Sequence, residues 1–173
     1  MSIGNRIAVV SGPDSKAAQA VIAASVAAWR AQGARVAGVL AEEHDLPGRS
    51  CGAGYLRDIA SGERFAIYGD LPASGSTCHI DAGGVQAACK ALLGQIASSD
   101  LIVLNKFGKL EAMRQGLWEA LEAAVAAGKP SLFALSEKHA EAFRAFAPEA
   151  TYLAPDRTAL DRWWDATRGS SAK

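Results

Sequence analysis

The chemistry on offer in this sequence is mostly positive charge beside hydrogen-bond donors. Ser11-Gly12-Pro13-Asp14-Ser15-Lys16 stands directly before an alanine-rich periodic segment. A glycine turn that opens a helix presents backbone N–H groups and the positive end of the helix dipole, and both favour an anion. Lys16 adds an ammonium beside them and Ser15 a hydroxyl. Asn105-Lys106-Phe107-Gly108-Lys109 follows an apolar run and supplies an amide and two more ammonium groups. Ser74-Gly75-Ser76-Thr77-Cys78 is dense in hydroxyl and N–H donors. These residue types suit a small oxyanion, or a nucleotide bound without Mg²⁺. Metal chemistry is poorly served: His44, Cys51, Cys78 and His79 are soft-ligand types, but their spacing matches no zinc pattern, and no metal site is expected.

The elements that must position these residues follow from periodicity. Arg6 to Val10 is a short apolar run ended by Ser-Gly-Pro, and reads as a buried strand. Ala17 to Gln32 is helical in spacing and stops at Gly33. Arg35 to Leu40 is a second strand. Strand, helix and strand in so short a stretch make a parallel βαβ unit with a right-handed crossover. From Ala41 to Asp81 the texture loosens. Tyr55–Ile59 and Arg64–Ile67 flank a turn and predict a β-hairpin, and Asp70–Asp81 is a long polar loop. The α/β rhythm then resumes. A helix capped by Asp81 runs to Ala97, Leu101–Leu104 is a core strand, Gln115–Ala127 a helix and Ser131–Leu135 a strand. Ser136 caps a helix through Phe146, Tyr152-Leu153 forms a short strand, and Asp156 opens a helix carrying Leu160, Trp163 and Trp164. The expectation is one α/β domain over residues 1–168, in three layers, with a mostly parallel sheet, flanking helices and a hairpin insertion. Residues 169–173 read as a disordered tail. Lys16, Lys106 and Lys109 then fall at the C-terminal edge of the sheet, where α/β folds bind ligands.

Composition narrows the partners. The 173 residues hold 18 basic and 18 acidic side chains, a formal net charge of zero, which argues against a nucleic-acid surface. The apolar run at Ile7–Val10 is too short for a signal peptide or a membrane span. Three cysteines, in a chain large enough to fold without staples, read as free thiols in a reducing, cytoplasmic setting.

The order of features resembles the thermophile-type nucleoside-triphosphatases, small P-loop enzymes, over about residues 6 to 135. Val39-Leu-Ala-Glu-Glu43 follows the second strand, Ser61-Gly-Glu-Arg64 sits in the hairpin, Asp100 to Glu111 takes the Walker B place, and Ala126-Ala-Gly-Lys-Pro130 follows the next helix. The chain is still more similar to an uncharacterised offshoot family with an Asn-Lys-Phe-Gly-Lys-Xaa-Glu motif and a Cys-Xaa-Ile/Leu-Asp loop, typically encoded beside molybdate-transport genes. Asn105–Glu111 and Cys78-His-Ile-Asp81 carry that resemblance. It implies a P-loop NTPase-like fold, convergence of Asn105 and Lys106 with Lys16, molybdate or tungstate as a candidate ligand, and a role in molybdenum supply.

The catalytic parts of a P-loop enzyme are missing. Glycine and lysine are four positions apart rather than six, the second glycine is absent, and Ala17 stands where a Mg²⁺-binding hydroxyl belongs. Asn105 and Lys106 replace the two acidic residues of Walker B. Positioned charge supplies most of phosphoryl-transfer catalysis, so no catalytic residue is assigned. The leading expectation is a non-hydrolytic binding protein with Gly12, Ser15, Lys16, Asn105 and Lys106 at its site. Lys109 stands beside them, Ser76, Thr77 and Cys78 close over the ligand, and Glu42 and Glu111 support it. The alternatives are a slow nucleoside-triphosphatase or phosphotransferase using Glu42, Glu43 and Glu111, and a scaffold subunit without ligand.

Plainer roles stand beside these. Lys16 is a solvated helix residue in that view, Lys106 pairs with Glu42, Glu43 or Glu111, Asn105 anchors a loop, and Glu111 orients Lys16 or Lys106. Cys89 is core packing and His139 surface. Trp163 and Trp164, being adjacent, point apart, one onto the sheet and one free for a second copy in a homo-oligomer.

Overall fold

The computed structural model describes residues 6–12, 15–43, 53–67 and 82–171. In chain order the elements are β1 (Ile7–Ser11), α1 (Ser15–Ala31), β2 (Val36–Glu43), β3 (Ala53–Asp58), β4 (Arg64–Ala66), α2 (Ala82–Leu93), β5 (Leu101–Phe107), α3 (Lys109–Ala112), α4 (Trp118–Ala126) and β6 (Ser131–Leu135). A 3₁₀ turn at Glu137–His139, α5 (Ala140–Phe146), β7 (Thr151–Leu153) and α6 (Arg157–Ser171) complete them. The strands form one sheet in the order β4-β3-β2-β5-β6-β1-β7. β2, β5, β6, β1 and β7 run parallel, and the β3–β4 hairpin continues the sheet antiparallel. The mixed α/β class and the hairpin insertion are as the sequence predicts.

Both faces of the central strands are covered, which is why those strands are apolar throughout rather than alternating. Val9, Ile102, Leu104 and Phe133 point to one side, where α2 and α4 bring Val85, Leu92 and Leu121 and α5 brings Phe143. Ala8, Val10, Val103 and Leu132 point to the other, against Ile22, Val26 and Trp29 of α1 and Leu160 of α6. Each large side chain buried this way contributes about 1.5–3 kcal/mol.

Two carboxylates tie the strand starts and the hairpin into this core. Asp100, just before β5, accepts from the Arg35 backbone N–H at 2.9 Å and its guanidinium at 3.0 Å, joining the entries of β5 and β2. Arg35 thereby holds the Asp100 carboxyl below the ordinary carboxylate range. Asp58, fully buried, accepts from the Ser61 N–H at 2.9 Å and from Gln95 Nε2 at 2.8 Å. It closes the hairpin turn and fastens it to the segment after α2.

Several boundaries differ from expectation. α2 stops at Leu93, because Gly94 is a poor helix former and Gln95 turns to Asp58. Ser136 makes no side-chain cap, and its helix begins as a 3₁₀ turn. The predicted helix from Gln115 starts only at Trp118, preceded by the separate turn α3. Asp156 does cap α6, accepting from the Thr158 N–H at 3.3 Å, and α6 runs on to Ser171, past the predicted boundary at 168. The two tryptophans do not divide between core and surface: Trp163 is 7% and Trp164 3% exposed. Trp164 stacks beside Trp29 at 5.6 Å and Trp163 at 6.4 Å, because α1 and α6 pack together over the sheet and enclose both rings. The Asp81 cap lies outside the described residues.

Candidate functional site

The C-terminal edge of the sheet gathers most of the predicted residues. β1 ends at Ser11, is followed by Gly12, and α1 opens at Ser15 with Lys16 exposed on its first turn. Ser11 pairs with Leu135 on β6, and Leu135 pairs with Phe107 on β5. Ser11 and the end of β5 therefore stand level, two strand spacings or about 10 Å apart. Asn105 and Lys106 lie just before Phe107, and Lys109 opens α3 two residues after it.

Asn105 and Lys106 are not in a loop. β5 continues through them, and its register with β6 jumps: Leu104 pairs with Phe133 and Phe107 with Leu135, so two residues of β5 oppose the single Ala134. This is a β-bulge, uncommon between parallel strands and frequent beside active sites, where it re-aims side chains. Asn105 is 1% exposed and its Oδ1 has no hydrogen-bond partner among the described residues. Asn105 is thus a residue of β5 itself, and its side-chain oxygen anchors nothing among the described residues. A buried acceptor left unpaired costs about 1–3 kcal/mol, and such groups concentrate where something else is meant to bind.

Glu111 has a different task from the one expected. One of its carboxylate oxygens accepts from the Gly108 N–H at 3.1 Å and the other from the Leu117 N–H at 3.2 Å. It clamps the loop that leaves β5 to the start of α4. The loop closes tightly over it: a Cβ on Gly116 would sit 2.9 Å from Glu111 Oε1. Burial raises the Glu111 carboxyl above its ordinary value of 4.5, against the opposing pull of its backbone hydrogen bonds and the charge of His139.

Glu42 is also engaged elsewhere. It pairs with Arg57, and with Arg64 at 3.2 Å, and Arg64 lies 4.0 Å above the Tyr55 ring. Arg57 and Arg64 are cross-strand partners in the hairpin, so Glu42 binds the hairpin to β2. Glu42 is thus held by two arginines, and the expected pairings of Lys106 fall on a side chain outside the described residues. Half-exposed pairs of this kind contribute about 0.2–1 kcal/mol each.

Ser76, Thr77, Cys78, His44, Cys51 and His79 lie outside the described residues. Cys89 is buried on α2 inside the core, as expected, and burial raises its thiol pKa. Among the described residues no group of three His, Cys, Asp or Glu could hold a metal ion, and no helix is long and apolar enough to cross a membrane. No spacing rule marks the bulge or the Glu111 clamp in advance; the nearest signal for the clamp is the pair of glycines, Gly108 and Gly116, on either side of that acid.

The family described as a protein of unknown function (DUF2478) matches residues 7–163. Molybdenum import ATP-binding protein ModC 2 of Bradyrhizobium diazoefficiens is 36% identical over 138 residues, 78% of this chain. That stretch is 15% of the relative, so the chain spans a small part of its length. The solution structure of a human cancer-related nucleoside triphosphatase superposes with a TM-score of 0.63 at 18% identity, covering 84% of this chain and 86% of that one. At that identity the likeness establishes the fold alone, a mixed α/β domain on a mostly parallel seven-stranded sheet.

Proposed function

The chain belongs to the DUF2478 family, and on its P-loop-like scaffold we propose a non-hydrolytic binding protein that holds a small oxyanion, molybdate or tungstate, or a nucleotide, at the C-terminal edge of the sheet. The observation that carries this reading is the β5 bulge. It sets Asn105 and Lys106 opposite Ala134, one step before the level of Ser11, near the edge where Gly12 leads into the N-terminus of α1. Gly12, Ser15 and Lys16 offer N–H groups, a helix dipole and an ammonium there. Lys106 and Lys109 add charge, and in this reading Ser76, Thr77 and Cys78 supply the groups that cover the ligand.

The acids favour binding over hydrolysis. Ala17, Asn105 and Lys106 occupy the places where a P-loop enzyme keeps its Mg²⁺ ligands. Glu42 and Glu111, two of the acids that could replace them, are engaged by two arginines and by two backbone N–H groups. A cation site has become a site for an anion. The ModC relative, named for molybdenum import, supports molybdenum supply as the setting.

Thermal-shift titration with molybdate, tungstate, sulfate, phosphate, ATP and GTP, each with and without Mg²⁺, tests this. A ligand specific to the native state adds about 2.7 kcal/mol of stability at a hundred times Kd. The expected result is a saturable rise with molybdate or tungstate, or with nucleotide free of Mg²⁺. Lys16→Ala and Lys106→Ala each weaken it about tenfold, the worth of one charge-assisted contact. A rise only with nucleotide plus Mg²⁺, with phosphate released, overturns the proposal in favour of an enzyme. No rise with any ligand overturns it in favour of a scaffold.

A further inference from the structure

A concavity of about 570 Å³ lies at the edge of the sheet opposite the candidate site. The residues that line it precede the strands: Arg6 before β1, Asp100 before β5, Lys129 before β6. Trp164, Thr167 and Arg168 of α6 close one wall. β1 has five residues and β5 seven, so about 15–20 Å of strand separates this edge from the candidate site.

Much of its positive charge has a plain structural role. Arg6 Nη1 donates to the Gly128 carbonyl at 2.7 Å, and Lys129 Nζ to the carbonyls of Ala97 at 3.2 Å and Ser99 at 2.9 Å. Cations commonly cap helix ends in this way. Three features exceed capping. First, the charge does not cancel. The lining cations Arg6, Lys129 and Arg168 face the Asp100 carboxylate and about half a negative charge at each of the ends of α1, α4 and α6, which leaves about half a positive charge over. Second, a guanidinium has five N–H donors, and Arg6 spends one of them on the described residues. Arg168 holds its guanidinium 5.8 Å from the Trp164 ring centroid. Third, the buried Trp164 Nε1 has no acceptor among the described residues, a rare condition in folded proteins.

A surplus of cation, unspent guanidinium donors and an orphaned indole N–H all ask for acceptor oxygens. We infer that this concavity binds a small molecule through one oxyanion group, a carboxylate or a phosphate, gripped by Arg6 and Arg168 with the Trp164 N–H as a neutral third donor. The site is independent of the one at the C-terminal edge.

The test is ¹H–¹⁵N NMR of the indole N–H groups of the full chain, titrated separately with acetate and inorganic phosphate. The Trp164 peak is assigned by its loss in Trp164→Phe, which keeps the ring. The expected result is a saturable shift of that peak with at least one probe, which also assigns the group. Arg168→Gln, on the exposed side of α6, weakens it about tenfold, while Lys16→Ala leaves it unchanged. A shift that never saturates with either probe, or an Arg168→Gln titration matching the parent, overturns the inference. A loss in Lys16→Ala also overturns it, since the anion would then sit on the other edge. Failure of the C-terminal site leaves this titration untouched, so the two readings fail separately.

Discussion

Gly38→Ala is expected to destabilise the protein by about 3–5 kcal/mol, combining a strained backbone with a clash that nothing can relieve. Gly38 sits in β2 opposite Val103 of β5 with φ at +140°. A Cβ there would lie 1.9 Å from the Val103 carbonyl oxygen and 2.8 Å from its nitrogen. Both are backbone atoms of a central strand, so no side chain can swing away. Gly33 is the control: its φ of +98° is also unusual, but a Cβ there meets nothing within 4 Å, so Gly33→Ala should cost only about 1 kcal/mol. Urea unfolding followed by circular dichroism separates them, with a lowered midpoint at unchanged slope. Equal losses in the two variants would show that the close approach of β2 to β5 is not what demands glycine. Because that approach also holds β5 in register, Gly38→Ala should weaken anion binding at the bulge as well.

Glu111→Ala is expected to cost about 2–4 kcal/mol, since the Gly108 and Leu117 N–H groups both lose their acceptor and the latter is buried. Glu111→Gln should cost less, because its amide oxygen still serves one of them. Among the described carboxylates with a shifted pKa, this one alone is raised, and that sets the sign of its pH dependence. Its pKa is raised in the folded state above the ordinary 4.5, so the native protein holds the proton longer than the unfolded chain does. Its contribution is therefore fullest below about 4.5 and is lost as pH rises through the raised folded value. Unfolding of the parent across that window should show a falling contribution that is absent in Glu111→Gln. If the two proteins lose stability in parallel, Glu111 is not the titrating group. The loop it clamps leads directly out of the bulge, so Glu111→Ala should also reduce ligand affinity.

The elements carried by local pattern were legible from residues alone. β6 runs over the residues its apolar stretch predicts, and the hairpin appears where two β-rich runs flank Ser61-Gly62. The β-α-β rhythm was enough for a mostly parallel sheet, and Asp156 was rightly read as a helix cap. The types of residue at the proposed site were also legible, Asn105 and Lys106 among them. Chemistry of that kind is written into each side chain.

Tertiary structure decided the rest, because each remaining feature is a relation between residues far apart in the chain. The β5 bulge exists only through pairing with β6, some thirty positions away. Glu42 takes its arginines from a hairpin that folds back beside it. Adjacency along the chain suggested that Trp163 and Trp164 part company, but α1 packs over α6 and covers both. Residue types set which charges and donors this protein has. The pairing of distant strands set where they stand, since register and burial are settled only when the sheet closes and every buried polar group must find a partner or be left without one.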